Sequence, residues 1–276
     1  MNTLDSGDFN PVVLRAPDKA CAEMTLHGAN VTSWRTPDGR ERLYLSERSG
    51  FNPTAAIRGG VPVVFPQFAA LGPLPHHGFA RTSLWQLFDT QNTPQDATAH
   101  FRLTGTDETR AVWPHAAQLD LTVTVGGPRL SVMLNVTNTD AQPFTFTAAL
   151  HTYFHVSEIG SVRVEGLEGL SYREHGVDGE QPRTTLHIDG QIDRIYKAVP
   201  GAIRLHDTDA ELEIVAEGFP DAVVWNPGPE LSAALPDLGP EAYHDFLCIE
   251  AAAIYVPIAL EPGETWHGTQ TITALS

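Results

Sequence analysis

Glu250 is the residue hardest to account for by folding alone. It follows the apolar run Phe246-Leu247-Cys248-Ile249 and precedes three alanines, so a partly buried carboxylate is expected there. Burial disfavours the charged form and raises a carboxyl pKa, whereas a nearby cation lowers it. Glutamate is rarely buried without a partner or a task. Glu250 therefore reads either as a base tuned toward neutral pH or as half of a structural ion pair. His151 is its chemical complement. It stands in Ala148-Ala149-Leu150-His151-Thr152-Tyr153-Phe154-His155, where an extended chain puts residues 151, 153 and 155 on one face. Imidazole, with an unperturbed pKa of about 6.5, suits proton transfer near neutrality. A hydrogen-bonded core histidine is the other reading. The two histidines lack the HExxH spacing of a helix and have no neighbouring acidic ligand, so no metal site is expected.

Two arginines stand in glycine-rich settings. Arg58 opens Arg58-Gly59-Gly60-Val61-Pro62-Val63-Val64-Phe65-Pro66-Gln67-Phe68, and Arg81 closes Leu74-Pro75-His76-His77-Gly78-Phe79-Ala80-Arg81. A glycine pair allows close backbone approach, and a guanidinium beside it can offer a two-pronged fork to an oxyanion. A β-bulge, or a surface pair with one of the 34 acidic residues, explains the same arginines without function. Trp225-Asn226-Pro227 ends an apolar run. An indole and an amide there suit the apolar face and hydroxyls of a sugar, or simply a core tryptophan before a turn.

The elements that must position these groups are strands. Leu119, Leu121, Val123 and Val125 alternate with polar residues up to Gly126-Gly127-Pro128, and Leu130, Val132, Leu134 and Val136 alternate again up to Asn138-Thr139-Asp140. Phe144, Phe146 and Ala148 begin a third run, so the three read as an antiparallel meander with one buried face. Similar runs predict strands over 161–164, 185–188, 202–205, 212–216, 222–225, 246–249 and 266–272. No amphipathic helix longer than about three turns is evident at the 3.6-residue period. The chain is read as all-β, a large antiparallel sandwich or barrel, with 1–276 forming one domain.

Composition excludes several classes of function. The chain has 276 residues, 34 acidic against 17 basic side chains and a formal net charge of −17. Two of the basic residues are lysines and no basic run exists, so neither nucleic acid nor an anionic membrane surface is an expected partner. No apolar stretch approaches the roughly 18 residues of a membrane span, and MNTLDSGDFN does not read as a secretory signal. Cys21 and Cys248 are isolated from each other, as expected of buried reduced thiols in a cytoplasmic protein.

Taken in order, six segments carry a resemblance: IRGGVPVVFPQF at 57–68, PHHGFAR at 75–81, LHTYFHV at 150–156, QIDRIYK at 191–197, VVWNP at 223–227 and FLCIEAA at 246–252. Together they resemble the aldose 1-epimerase (mutarotase) superfamily, specifically its hexose-6-phosphate branch. The resemblance implies an antiparallel super-sandwich of the galactose-mutarotase type and an isomerase that needs no cofactor. It also implies His151 as general acid and Glu250 as general base. Arg58 and Arg81 then contact the phosphate and hydroxyls, and Asp193 a substrate hydroxyl; His77 falls on the histidine before the glycine, and Trp225 on the sugar face. His76 departs from the glutamine of comparable chains. Gly228 departs from the aromatic that often follows WNP, which suggests a more open rim. The implied reaction is interconversion of the α and β anomers of a hexose 6-phosphate, glucose 6-phosphate foremost. An aldose 1-epimerase for free hexoses and a non-catalytic carbohydrate-binding protein are the alternatives.

Overall fold

The computed structural model describes residues 9, 11–50 and 52–275; apart from Phe9, the opening decapeptide read above for a signal lies outside them. β1 (Val12–Arg15), β2 (Cys21–Met24) and β3 (Val31–Arg35) form a small sheet. β4 (Val63–Val64) is followed by β5 (Gln86–Asn92), β6 (Ala97–Thr104), β7 (Ala117–Gly126) and β8 (Arg129–Asn138). Next come β9 (Phe144–Leu150), β10 (Tyr153–His155), β11 (Arg163–Glu165), β12 (Ser171–Glu174), β13 (Val177–Glu180), β14 (Leu186–His187) and β15 (Ile192–Tyr196). The series ends with β16 (Ile203–His206), β17 (Glu211–Glu217), β18 (Asp221–Asn226), β19 (Phe246–Leu260) and β20 (Thr265–Ala274). The helices α1 (Asp107–Val112) and α2 (Gly228–Ala234) are each two turns or less, as the missing helical period implies.

Two large antiparallel sheets carry the fold. One has nine strands in the order β14-β11-β16-β17-β20-β8-β7-β6-β5. The other has eight, ordered β13-β12-β15-β18-β19-β9-β4, with β10 also paired to β19. In β7 and β8 alternate side chains are buried, and Gly127, at φ +58°, turns one into the other. One core cluster draws on all three sheets, from Leu14 to Ala274. Gln270 of β20, fully buried, ties the two large sheets by donating to the Ile249 carbonyl of β19 at 3.0 Å and accepting from the Thr152 hydroxyl.

β19 is central and buried on both faces along its first half. Leu247, Ile249 and Ala251 face the main core, whereas Phe246, Cys248 and Ala252 belong to smaller clusters on the opposite side. That opposite side is roofed by the long connections between strands. The expected strand at 246–249 therefore continues to Leu260, and Glu250 lies within it rather than at its end. The run expected at 161–164 is corrected as well: Ile159–Ser161 is a 3-10 turn, and the strand begins at Arg163.

The glycine pair after Arg58 answers to chain packing. Gly60, at φ +71°, donates its N–H to the Tyr44 carbonyl at 2.8 Å, and a Cβ there would collide with the Val31 carbonyl. Gly60→Ala is expected to lower stability by about 1–3 kcal/mol, since both the backbone conformation and the space exclude a methyl group. A urea midpoint equal to that of the parent protein would refute this account.

Candidate active site

Register brings the two proton-transfer candidates together. Leu150 of β9 pairs with Ala251, and Tyr153 of β10 pairs with Cys248, so both ladders share one register on β19. His151, in the break between β9 and β10, consequently falls opposite Glu250. His151 Nε2 lies 3.3 Å from Glu250 Oε1. Glu250 is 2% exposed and His151 6%, so the burial expected for the carboxyl is nearly complete. Across the next strands Cys248 pairs with Trp225 and Trp225 with Asp193, which sets Asp193, Trp225 and Glu250 on one face.

A cavity of about 350 Å³ opens on that face and is lined by Arg58, His76, His77, Arg81, His151, Asp193, Trp225 and Glu250 together with Phe68, Ala69, Leu231 and Leu235. All eight residues singled out from the sequence meet there. His155 does not; it is exposed and lines a wider cleft of about 850 Å³, which contains none of the eight.

Burial governs the electrostatics. Desolvation raises the Glu250 pKa well above the usual carboxyl range, and Asp193 adds to this while Arg81 opposes it. Desolvation likewise drives His151 well below the ordinary imidazole value, helped by Arg81 and Arg58. Burial therefore disfavours the charged form of each group, and the 3.3 Å contact places them where a proton can pass between them. His151 Nδ1 and Glu250 Oε2 are buried without a hydrogen-bond partner among the described residues. Moving the one proton from Glu250 to His151 creates a carboxylate and an imidazolium without any exchange with solvent.

The neighbouring histidines are neutral donors or acceptors. The Ala69 N–H donates to His77 Nδ1 at 3.2 Å, which places the His77 ring proton on Nε2. His77 pKa falls through burial and then the fields of His151 and Arg81. His77 has φ +63°, a left-handed conformation that costs a side chain about 1–2 kcal/mol and is retained where surroundings enforce it. His76 is lowered by burial and by Arg81 and Arg58.

The arginines differ from each other. The fork expected of Arg58 is already occupied: Nε and Nη2 donate to Asp237 Oδ2 and Oδ1 at 3.1 and 3.2 Å, and Nη1 donates to the Tyr153 hydroxyl at 3.2 Å. Only its remaining N–H groups can serve a ligand. Arg81 donates from Nη2 to the His76 carbonyl at 3.1 Å and forms no ion pair with a described carboxylate. It is therefore the freer cation. Asp237 escaped the sequence reading because it lies 179 residues from its partner and in no recognisable pattern.

Gly228 does not open the rim as expected. It has φ +62°, and a Cβ there would fall 2.7 Å from the Gln191 nitrogen, so glycine is a backbone requirement. The turn is fastened by Asn226, which accepts from the Gly228 N–H at 2.9 Å and donates to the Phe246 carbonyl at 2.8 Å. Leu231 and Leu235, carried by the segment that follows, form the rim.

Two antiparallel sheets with a buried acid–base pair on the outer face of one of them define a mutarotase-type sandwich. The family described as Aldose 1-epimerase matches residues 11–273, and the chain belongs to that family. A protein of Cenchrus ciliaris assigned as a glucose-6-phosphate 1-epimerase is 38% identical over 277 residues, covering 96% of this chain and 84% of its own length. An Escherichia coli protein with the same assignment is 35% identical over 84% of this chain and 79% of its own. The crystal structure of a Salmonella typhimurium protein described as a mutarotase superposes with a TM-score of 0.90 at 29% identity, over 98% of this chain and 92% of that one. Among the described residues no helix is long and apolar enough to cross a membrane.

Glu250 makes a stability prediction of definite sign. Its folded pKa lies above its unfolded value of about 4.5, so the folded state binds the extra proton and stability falls as pH rises from about 4.5 toward the folded pKa. Glu250→Gln removes that dependence. The variant is expected to unfold at higher urea than the parent at pH 7, with the difference vanishing near pH 4. A variant less stable than the parent at pH 7 would show that the carboxyl is held ionised instead.

Proposed function

We propose that the protein interconverts the α and β anomers of a hexose 6-phosphate, with glucose 6-phosphate as the preferred substrate. The observation that supports this most is the one-proton pair of His151 and Glu250 standing beside Arg58 and Arg81 in one cavity. Mutarotation needs a base for the anomeric hydroxyl and an acid for the ring oxygen. In the charge-separated form of the pair, the Glu250 carboxylate takes the proton from O1 while the His151 imidazolium gives one to O5, and the C1–O5 bond breaks. The open-chain aldehyde turns about C1–C2. On closure to the other face O5 attacks C1 and gives its proton back to His151, while Glu250 returns its proton to O1. The pair ends with the proton count it began with, so no co-reactant is consumed.

The remaining side chains hold the sugar. The Trp225 indole, 5.9 Å from the His151 ring, offers an apolar wall for the pyranose face. Asp193, whose pKa burial raises, accepts from a ring hydroxyl, and the His77 Nε2–H donates to another. Arg81 takes the phosphate, with Arg58 and His76 beside it. Positioned acid and base groups contribute about 10²–10⁴-fold, and orientation of the sugar adds to this. The relatives assigned as glucose-6-phosphate 1-epimerases support the phosphorylated substrate. Cys21 and Cys248 are buried free thiols, consistent with work in the reducing cytoplasm.

Anomer exchange is measured by magnetisation-transfer NMR on equilibrated glucose 6-phosphate and on glucose. Acceleration is expected for the phosphate, with little for the free sugar; equal acceleration of both would favour an enzyme for free aldoses, and none for either a binding protein. Glu250→Gln is expected to abolish the acceleration while sugar binding persists, and unchanged exchange would remove Glu250 from the chemistry. The rate should be bell-shaped in pH, because activity needs one proton on the pair and is lost with two or none. Arg81→Met is expected to raise KM for glucose 6-phosphate about tenfold or more, the worth of one charge-assisted contact. Its KM for glucose should not move; equal shifts in both would show that Arg81 does not read the phosphate.

A further inference from the structure

His151 must keep its ring plane through the reaction, yet only one of its nitrogens has a polar neighbour within the contact distance of an ion pair. Nε2 faces Glu250 at 3.3 Å, while Nδ1 is buried and has no hydrogen-bond partner among the described residues. The ring could rotate about the Nε2 contact unless something else sets its plane. Three rings touch it. His77 and Trp225 meet it edge-on, at 75° and 79°, with centroids 5.4 and 5.9 Å away. Tyr153 lies against it nearly parallel, at 10° and 4.9 Å. Of the three, Tyr153 is the one whose ring lies parallel to the imidazole and covers its face.

Tyr153 has a second attachment. Its hydroxyl accepts from Arg58 Nη1 at 3.2 Å, and the phenol is 2% exposed. The opposite side of Arg58 is clamped by Asp237. The backbone of Tyr153 is itself anchored, since β10 pairs with β19 and places Tyr153 against Cys248. One rigid side chain therefore spans from the guanidinium to the imidazole.

We propose that Tyr153 is a positioning residue that joins the two halves of the site: its ring holds the plane of the acid His151, and its hydroxyl holds Arg58 where the phosphate is received. The two roles belong to different atoms, so they separate by substitution. This inference rests on the phosphate reading of the arginines. Removing the hydroxyl disturbs binding of the phosphate end and leaves the stacked ring in place. Removing the ring disturbs the proton transfer as well.

The test compares Tyr153→Phe and Tyr153→Leu with the parent protein by the same NMR exchange assay on glucose 6-phosphate and glucose. Tyr153→Phe is expected to raise KM for glucose 6-phosphate about three- to tenfold, less than the full worth of a hydrogen bond to a charged group because the hydroxyl acts on the phosphate only through Arg58. Its kcat should stay within about twofold of the parent, since the acid keeps its plane. Tyr153→Leu is expected to lower kcat by about tenfold or more, because a misplaced acid loses alignment with O5. A kcat for Tyr153→Phe that falls as far as that of Tyr153→Leu would overturn the division of roles. So would an unchanged KM in Tyr153→Phe, which decides the matter even if the leucine variant does not fold. A parent protein that accelerates exchange of glucose but shows no preference for the phosphate would defeat the phosphate reading, and with it the role given to the hydroxyl. The ring's effect on kcat is read independently on glucose in that case.

Discussion

The 3.3 Å contact between His151 and Glu250 is the constraint on which the architecture turns. A carboxyl and an imidazole held together in water would be an ordinary, weak pair. Out of water the charged form of each is penalised, which raises the carboxyl pKa and lowers that of the imidazole. That condition requires the carboxyl to stand in the middle of a strand buried on both faces. A strand at the centre of an eight-stranded sheet, backed by the main core and roofed by long connections, supplies it. The core between the two large sheets thus backs the strand that holds Glu250 and helps to keep its carboxyl out of water.

The imidazole needs a different local solution. A continuous strand opposite Glu250 would use the backbone of residue 151 in the regular ladder. Instead β9 stops at Leu150 and β10 resumes at Tyr153 in the same register; the Thr152 carbonyl still accepts from the Ile249 N–H of β19 at 3.2 Å, while the His151 N–H turns elsewhere. The His151 N–H donates to the Pro62 carbonyl at 3.0 Å, and the Thr152 side chain turns back into the core to Gln270. A buried polar tie is tolerated there because its members are satisfied, and it fastens the break from the side away from the cavity. The outer face is thus free for ligand while the inner face holds the geometry.

Much of this is legible in sequence for a physical reason that also explains the failures. β7 and β8 announce themselves because one face of each is buried and the other is not. β5 gives no such signal: all seven of its residues are exposed at the edge of its sheet, so no apolar period exists to read. Glu250 stands out because it interrupts an apolar run, and a two-sided burial leaves no innocent place for a carboxylate. Asp237 is invisible for the opposite reason, since an acid in a loop is unremarkable until the fold brings Arg58 to it. Gly228 was misread because an absent side chain looks like open space in sequence, whereas in the fold it marks a backbone that admits nothing larger. The chemistry was legible where it violated the pattern and hidden where it obeyed it.

The same logic reconciles an anionic chain with an anionic substrate. A net charge of −17 acts at long range, where salt screens it beyond about 8 Å. What a bound phosphate meets is decided within a few ångströms, where Arg81 has no carboxylate partner among the described residues and Arg58 has one. Because Asp237 already balances Arg58, the cavity carries one uncompensated guanidinium rather than two. That charge lies close enough to lower the His151 pKa and to oppose the rise at Glu250. On the reading proposed above, a dianion seated on Arg81 offsets that guanidinium's share of the field at the imidazole. On that reading, the phosphate end of the substrate thereby helps His151 to take its proton, with Arg58 acting on the same imidazole.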